Sequence, residues 1–251
     1  MEVFYTITFF LFGIVFGSFY NVVGYRLPKN LSLVKPGSFC PKCKHALKWY
    51  ELIPLFSFLF QGGKCTKCKT KISWFYPSIE AGTGLLFAIS YLIFGFSNEL
   101  IYSLIISSFL MIVIVSDLTY LVIPDEVTIV MSILLLITKV ITEGFLEAGI
   151  AILTGAISFL FMYLLMLIGN KMFKKESLGG GDIKLMFFIG LLLSIEEVFV
   201  TIFLASAIAL PVSLIYYMKK KKDIIPFGPF LLGAALILLW AQLDILKILG
   251  F

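Results

Sequence analysis

Histidine is almost missing from this 251-residue chain: His45 is the only one, and charged residues make up just 14% of the total. There is no serine-histidine-acid set and no H-E-x-x-H, so the common serine and zinc hydrolase machineries are excluded. No G-x-G-x-x-G loop and no basic-aromatic module occurs, which sets aside dinucleotide and nucleic-acid binding. Only Glu2 precedes the first apolar run, and a basic n-region is lacking, so a cleaved signal peptide is not expected. Thiols are confined to four cysteines between positions 40 and 68. What is abundant is apolar surface: 60% hydrophobic residues, with a mean hydropathy of +1.04.

Apolar runs recur along the whole chain, many long enough to span or nearly span a bilayer. They predict an all-α polytopic membrane protein with eight transmembrane helices, at about 3–24, 79–96, 100–116, 127–142, 145–169, 184–195, 198–218 and 228–249. The sixth run is short for a full crossing. Half of the 20 Lys and Arg fall between Arg26 and Lys71. Lys171, Lys174, Lys175 and Lys184 flank the fifth-to-sixth connection, and Lys219 to Lys222 follow the seventh run; only Lys139 and Lys247 lie elsewhere. With eight spans these basic clusters share one face, which the positive-inside rule makes cytoplasmic, leaving both termini outside. Topology thus accounts for the net charge of +5 without nucleic acid.

Residues 25–77 form the only sizeable soluble insert, and they hold Cys40-Pro-Lys-Cys43 and Cys65-Thr-Lys-Cys68. Two C-x-x-C pairs at this separation supply four thiolates for a tetrahedral, structural Zn²⁺. Disulfides compete but fit poorly with a reducing cytosol, and a domain this small needs a staple. His45, two residues beyond the first pair, fits a hydrogen bond within the knuckle better than a fifth ligand or a general base. The stretch Trp49 to Phe60 is apolar enough to lie against the membrane or pack on the spans.

The chemistry must then come from carboxylates. Asp117 ends the apolar run that starts at Phe109, and Gly179-Gly180-Gly181-Asp182-Ile183-Lys184 opens another. A bare carboxylate at such an edge has to be solvated, paired or protonated. Alone, Asp117 reads as a helix-end charge in the headgroup region, as do Asp125 and Glu126 after Pro124. Three glycines before Asp182 permit close backbone approach and unusual φ values. Both aspartates come out at the cytoplasmic boundary, where two carboxyls sharing a proton could activate water and protonate a leaving group.

Taken in order, the motifs resemble the type IV prepilin peptidase family, the G-x-G-D aspartic membrane proteases of pilus, type II secretion and competence systems. The resemblance runs through Gly17-Ser18-Phe19-Tyr20-Asn21, the cysteine pairs, Ile53-Pro54, Gly63-Lys64-Cys65 and Ile72-Ser73-Trp74-Phe75-Tyr76-Pro77. It continues through Glu80, Asp117 to Asp125, Gly179 to Leu185, and Pro226-Phe227-Gly228-Pro229. It implies a bifunctional enzyme of the bacterial cytoplasmic membrane. Such an enzyme removes the basic leader of prepilins or pseudopilins, whose mature N-terminus is an apolar helix. It then N-methylates the new terminus from S-adenosylmethionine. Asp117 and Asp182 match the family's catalytic aspartates, with Gly179, Gly180 and Gly181 as active-site backbone. Gly63, Lys64 and Glu80 are carried over as methyltransferase-side residues. Lys184 either biases the dyad or snorkels to headgroups. Glu80 otherwise reads as an N-terminal helix charge. The implied domains are a first helix at 1–24, the zinc-binding insert at 25–77 and a seven-helix peptidase at 78–251. One departure stands out: the family often has Arg before Tyr-Pro, where this chain has Phe75. Relatives cleaving preflagellin lack such a cysteine insert, and a transporter with a zinc-bound loop predicts inverted repeats, none of which is evident.

Overall fold

A computed structural model describes residues 1–174, 178–220 and 225–242. Among these residues the regular structure is helical, with two isolated β-bridges and no strands, and most of residues 30–74 is irregular. The helices are α1 (Glu2–Arg26), α2 (Phe56–Phe60), α3 (Phe75–Phe94), α4 (Asn98–Tyr120), α5 (Asp125–Thr142), α6 (Phe145–Phe173), α7 (Gly180–Leu192), α8 (Ile195–Lys220) and α9 (Gly228–Ala241). Lys175, Lys221, Lys222, Lys247 and the far end of the eighth expected span lie outside the described residues.

Each expected span overlaps one helix among the described residues, but the count of eight crossings is not confirmed. Five helical stretches are long and apolar enough to cross a bilayer: Glu2–Lys29, Phe75–Phe94, Asn98–Tyr120, Phe145–Met172 and Ile195–Tyr216. The chain is a multi-pass membrane protein. Helix α7, at 13 residues, is about 20 Å long against a hydrocarbon core of about 30 Å. Its environment explains the shortness. Leu185, Met186, Phe188 and Ile189 are completely buried, so the helix is covered by protein rather than lipid.

The chain divides into two compact units, Met1–Phe96 and Ser97–Phe251. In the first, α1 and α3 pack along small residues. A Cβ on Gly13 would lie 2.7 Å from the Gly84 Cα, and one on Gly17 would lie 2.8 Å from the Glu80 Cα. This small-xxx-small contact lets backbones touch in a setting where apolar burial alone gives helices little reason to associate. Asn21 Nδ2 donates to the Tyr76 carbonyl at 3.1 Å and pins the loop-side ends.

In the second unit, α7 is the central helix. Gly190 lies against Gly155 and Ser158 of α6, where an added Cβ would come within 2.7 Å of the Gly155 Cα. Phe188 meets Phe109 of α4 edge to face, with ring centroids 4.8 Å apart. Trp240 of α9 donates its indole N–H to Ser103 of α4 at 2.7 Å. These contacts bring the start of α7, the end of α4 and the start of α9 into one neighbourhood.

Candidate active site and metal centre

Asp117 and Asp182 line one cavity of about 370 Å³, together with Leu121, Ile123, Asp125, the three glycines, Lys184 and Ile225 to Phe227. Both side chains are buried. The helix boundaries place them differently from the expected spans. Helix α4 continues past residue 116, so Asp117 sits inside its last turn. Helix α7 begins at Gly180, so Asp182 is the third helical residue instead of preceding the helix. There its carboxylate accepts the amide of Gly179, the N-cap, as in one half of a capping box. Asp117 accepts the amide of Gly228, the first residue of α9. Each carboxylate therefore faces the positive end of a helix.

Of the three glycines, Gly181 is required by space and not by unusual φ. Gly179 has φ −71°, Gly180 and Gly181 are helical, and none has positive φ. Ile123 is the reason. Its side chain would be 3.0 Å from a Cβ on Gly181 and 2.8 Å from one on Gly228. A Cβ on Gly228 would also come within 3.1 Å of Asp117 Oδ2. Ile123 is steered there by Leu121, which ends α4 in the left-handed region at φ +56° and returns its amide to Asp117 O at 2.9 Å. A leucine held in that conformation beside two carboxylates stores strain where functional sites commonly keep it.

The Lys184 ammonium is paired at 2.6 Å with Asp125, at the rim of the cavity that also holds the dyad. Asp125 is correspondingly more than a helix-end charge. The Pro226-Phe227-Gly228 segment was legible as a motif but not as a partner of Asp117. No signal in the sequence connects two positions that far apart.

In the first unit, the four cysteine sulfurs all lie within 4.8 Å of one another, with Cys40 and Cys68 at 3.8 Å and Cys43 and Cys65 at 3.9 Å. All four are free thiols. Tetrahedral zinc with Zn–S near 2.3 Å needs sulfurs about 3.8 Å apart, so the donor set fits that ion, whereas a disulfide needs about 2.05 Å. The two knuckles repeat one structure at an offset of 25 residues. The Cys40 and Cys65 amides donate to His45 O and Thr70 O, both at 2.9 Å. Lys44 and Lys69 both take φ +57° and return their amides to Cys40 O and Cys65 O. Phe39 bridges Ala46 as Lys64 bridges Lys71.

His45 bonds within the insert, to Glu51 at 3.3 Å, and is not a ligand. Glu51 went unnoticed in the sequence. It is a buried carboxylate that accepts the Lys48 amide at 2.8 Å, the Thr66 hydroxyl and His45 Nε2, and so joins the first knuckle to the second. The Lys48 amide, then Thr66, hold its carboxyl below the usual carboxylate range. A depressed value means that its contribution is complete at neutral pH and is lost as pH falls through that value. Glu51→Ala is expected to weaken metal retention by roughly 10- to 100-fold in chelator competition at neutral pH, the usual cost of losing an outer partner. Unchanged retention would show that the knuckles hold together without it.

Gly63 and Lys64 occupy the turn before Cys65. Gly63 needs its glycine because φ is +65° and the Phe58 ring lies 3.0 Å from where a Cβ would stand. Glu80 is the sixth residue of α3, too deep to act as a first-turn helix charge. Its Oε2 accepts the amide of Leu55 at 2.8 Å, and Leu55 itself sits at φ +60°. Phe75 packs against Tyr25 with ring centroids 6.4 Å apart.

Two family models match the chain: the bacterial peptidase A24 N-terminal domain over residues 11–94 and the type IV leader peptidase family over residues 104–214. A prepilin leader peptidase/N-methyltransferase of Bacillus subtilis is 35% identical over 91% of this chain and 91% of its own length. The chain belongs to the type IV leader peptidase family. Proteins of the same name from Klebsiella pneumoniae (34% identical; 80% of this chain, 90% of that one) and Neisseria gonorrhoeae (31%; 87% and 84%) are also similar. No solved structure matches it. The N-terminal family model stops two residues short of the boundary between the compact units, and it includes both α1 and α3.

Proposed function

We infer that this chain is a bacterial membrane endopeptidase that cuts the leader from prepilins or pseudopilins and then N-methylates the exposed terminus. The similarity to named leader peptidase/N-methyltransferases over nearly the full chain supports the pair of activities. The single observation that carries the mechanism is the shared cavity of Asp117 and Asp182, each buried and each tied to the N-terminal amide of a helix.

In this mechanism one aspartate is ionised and takes a proton from water, which attacks the scissile carbonyl. The other is protonated, hydrogen-bonds to the developing oxyanion and then gives its proton to the leaving amine. Held among Ile123, Phe227 and the glycines, the pair has little bulk water to compete with it. On this reading the cavity opens on the cytoplasmic side of the inner membrane, the side the positive-inside rule favours for the basic segments, and the positively charged leader of the substrate remains in water. The exposed Trp49, Leu59, Phe60 and Trp74 give the insert an apolar face suited to the bilayer surface. Zinc bound by Cys40, Cys43, Cys65 and Cys68 has no open coordination position, so it holds the insert and takes no part in either reaction.

For methylation, S-adenosylmethionine would supply the methyl group, and the new terminal amine would have to give up a proton to accept it. Glu80 contributes by position. Through Leu55 it fixes the insert on α3, while Gly63 and Lys64 form the turn at the second knuckle. Glu80→Gln is expected to leave leader removal largely intact and to lower the methylated fraction of the product, read as a methyl mass increment. Equal loss of both products would make Glu80 a residue of the general fold; loss of cleavage alone would move it to the peptidase site.

Incubation of the purified protein with a prepilin and S-adenosylmethionine, followed by product mass, tests the function as a whole. Leader loss plus one methyl is expected. An untouched prepilin would remove the peptidase reading.

A further inference from the structure

Beside the dyad cavity lies a second, larger space of about 580 Å³ that the peptidase reading does not use. Asp125, Thr128, Ser132 and Ile133 of α5 line one side, Ala156 and Phe159 of α6 another, and Lys184 and Phe187 of α7 its floor. Asp125 and Lys184 also line the dyad cavity, so the two spaces meet at that ion pair. Ile129 and Ile133 on its rim are 58% and 52% exposed, which opens the groove sideways toward whatever solvates the spans. From Asp125 to Ile133 the groove follows α5 for about 12 Å, or two helical turns.

One feature is hard to reconcile with a surface that only meets lipid. Ser132 is 9% exposed, and its Oγ has no hydrogen-bond partner. An unpaired buried hydroxyl carries an uncompensated desolvation cost, and among spans such groups usually bond across to another helix. Thr128, one turn closer to the dyad, has its hydroxyl on the Pro124 carbonyl, so Ser132 is the hydroxyl left for an occupant.

We propose that this groove between α5, α6 and α7 seats the first two turns of the substrate's apolar helix, just beyond the scissile bond, and is the specificity subsite of the peptidase. The inference rests on the prepilin reading given above. A substrate with a basic leader in water and an apolar helix in the bilayer has to reach a membrane-edge dyad from the side, through an apolar path continuous with it. The Asp125–Lys184 pair marks where that path passes from lipid to water. Ser132 then donates to a helix carbonyl or a polar side chain of the incoming segment.

Ala156 is an exposed groove residue, so Ala156→Phe fills the space without disturbing the core. Two substrates are compared: a full-length prepilin in nanodiscs, and a soluble peptide covering the leader and the first few residues after the cut. For the full-length prepilin KM is expected to rise about tenfold or more with kcat held, while the peptide kinetics stay within about twofold. An unchanged KM, or the same loss on both substrates, overturns the groove. Wild-type protein that cleaves neither overturns the peptidase reading and the groove with it, whereas wild-type cleavage beside an indifferent variant overturns the groove alone. A photo-crosslinking benzoylphenylalanine at Ile133 is expected to capture the mature segment of the prepilin; capture of phospholipid only, or of a second copy of this chain, would also overturn it.

Discussion

Asp117→Asn and Asp182→Asn each lower the rate of leader removal by roughly 10³-fold or more, the scale expected when a positioned acid or base is lost. Asparagine keeps the size of the side chain and one carbonyl oxygen. It can therefore still accept the Gly228 amide at 117 and the Gly179 amide at 182, the bonds that hold these side chains now. What it cannot do is exchange a proton. Melting temperature and metal content should accordingly match the wild type, and the two single variants should be about as inactive as the double one, because the pair acts as a unit. A near wild-type rate from either variant would eliminate the aspartic mechanism. Inactivity accompanied by a lower melting temperature would instead point to a structural carboxylate.

How much of this was legible from residues alone depends on the distance over which each signal acts. The helices were visible because apolar runs are local, and the cysteine pairs because ligand spacing is local. The ends of the helices were not. Asp117 and Asp182 were expected just outside their spans but lie within the terminal turns, because α4 runs on to Tyr120 and α7 begins at Gly180, each beyond its apolar run. The glycine run suggested unusual φ, but none of the three has positive φ, and Gly181 answers to the bulk of Ile123, a residue from another segment. Lys184 was weighed against the dyad and the headgroups because its partner, Asp125, lies 59 positions away. Glu51 shows the opposite failure. It stood in plain view among aromatic residues, but its role depends on two knuckles folding onto the same carboxylate. The short sixth run was a correct warning: α7 need not match the bilayer, because protein surrounds it.

Loss of the metal should be as damaging as loss of the dyad, but to a different part of the chemistry. Metal analysis of the purified protein is expected to give one zinc per chain. Replacing Cys40, Cys43, Cys65 or Cys68 by Ser removes one of four thiolates whose sulfurs already stand at zinc-like separations. The insert has little else to hold it, since its regular structure is the five-residue α2, two single-turn 3₁₀ helices (Leu27–Lys29 and Trp49–Glu51) and two isolated bridges. Structural zinc in domains of this kind contributes about 10–16 kcal/mol to folding, far more than such a core can replace. Each variant, and wild-type protein stripped by a chelator, should therefore lose protease resistance across residues 25–77, while α4 to α9 keep theirs. Methylation should fall at least as far as leader removal, because the dyad belongs to the second unit and depends on Gly179 and Gly228 rather than on the thiolates. Recovery of protection on adding Zn²⁺ back to the chelated wild type, but not to the Cys→Ser variants, would assign the effect to the ion. A metal-free protein carrying two disulfides would overturn the ligand assignment and the reducing, cytoplasmic placement of the insert together.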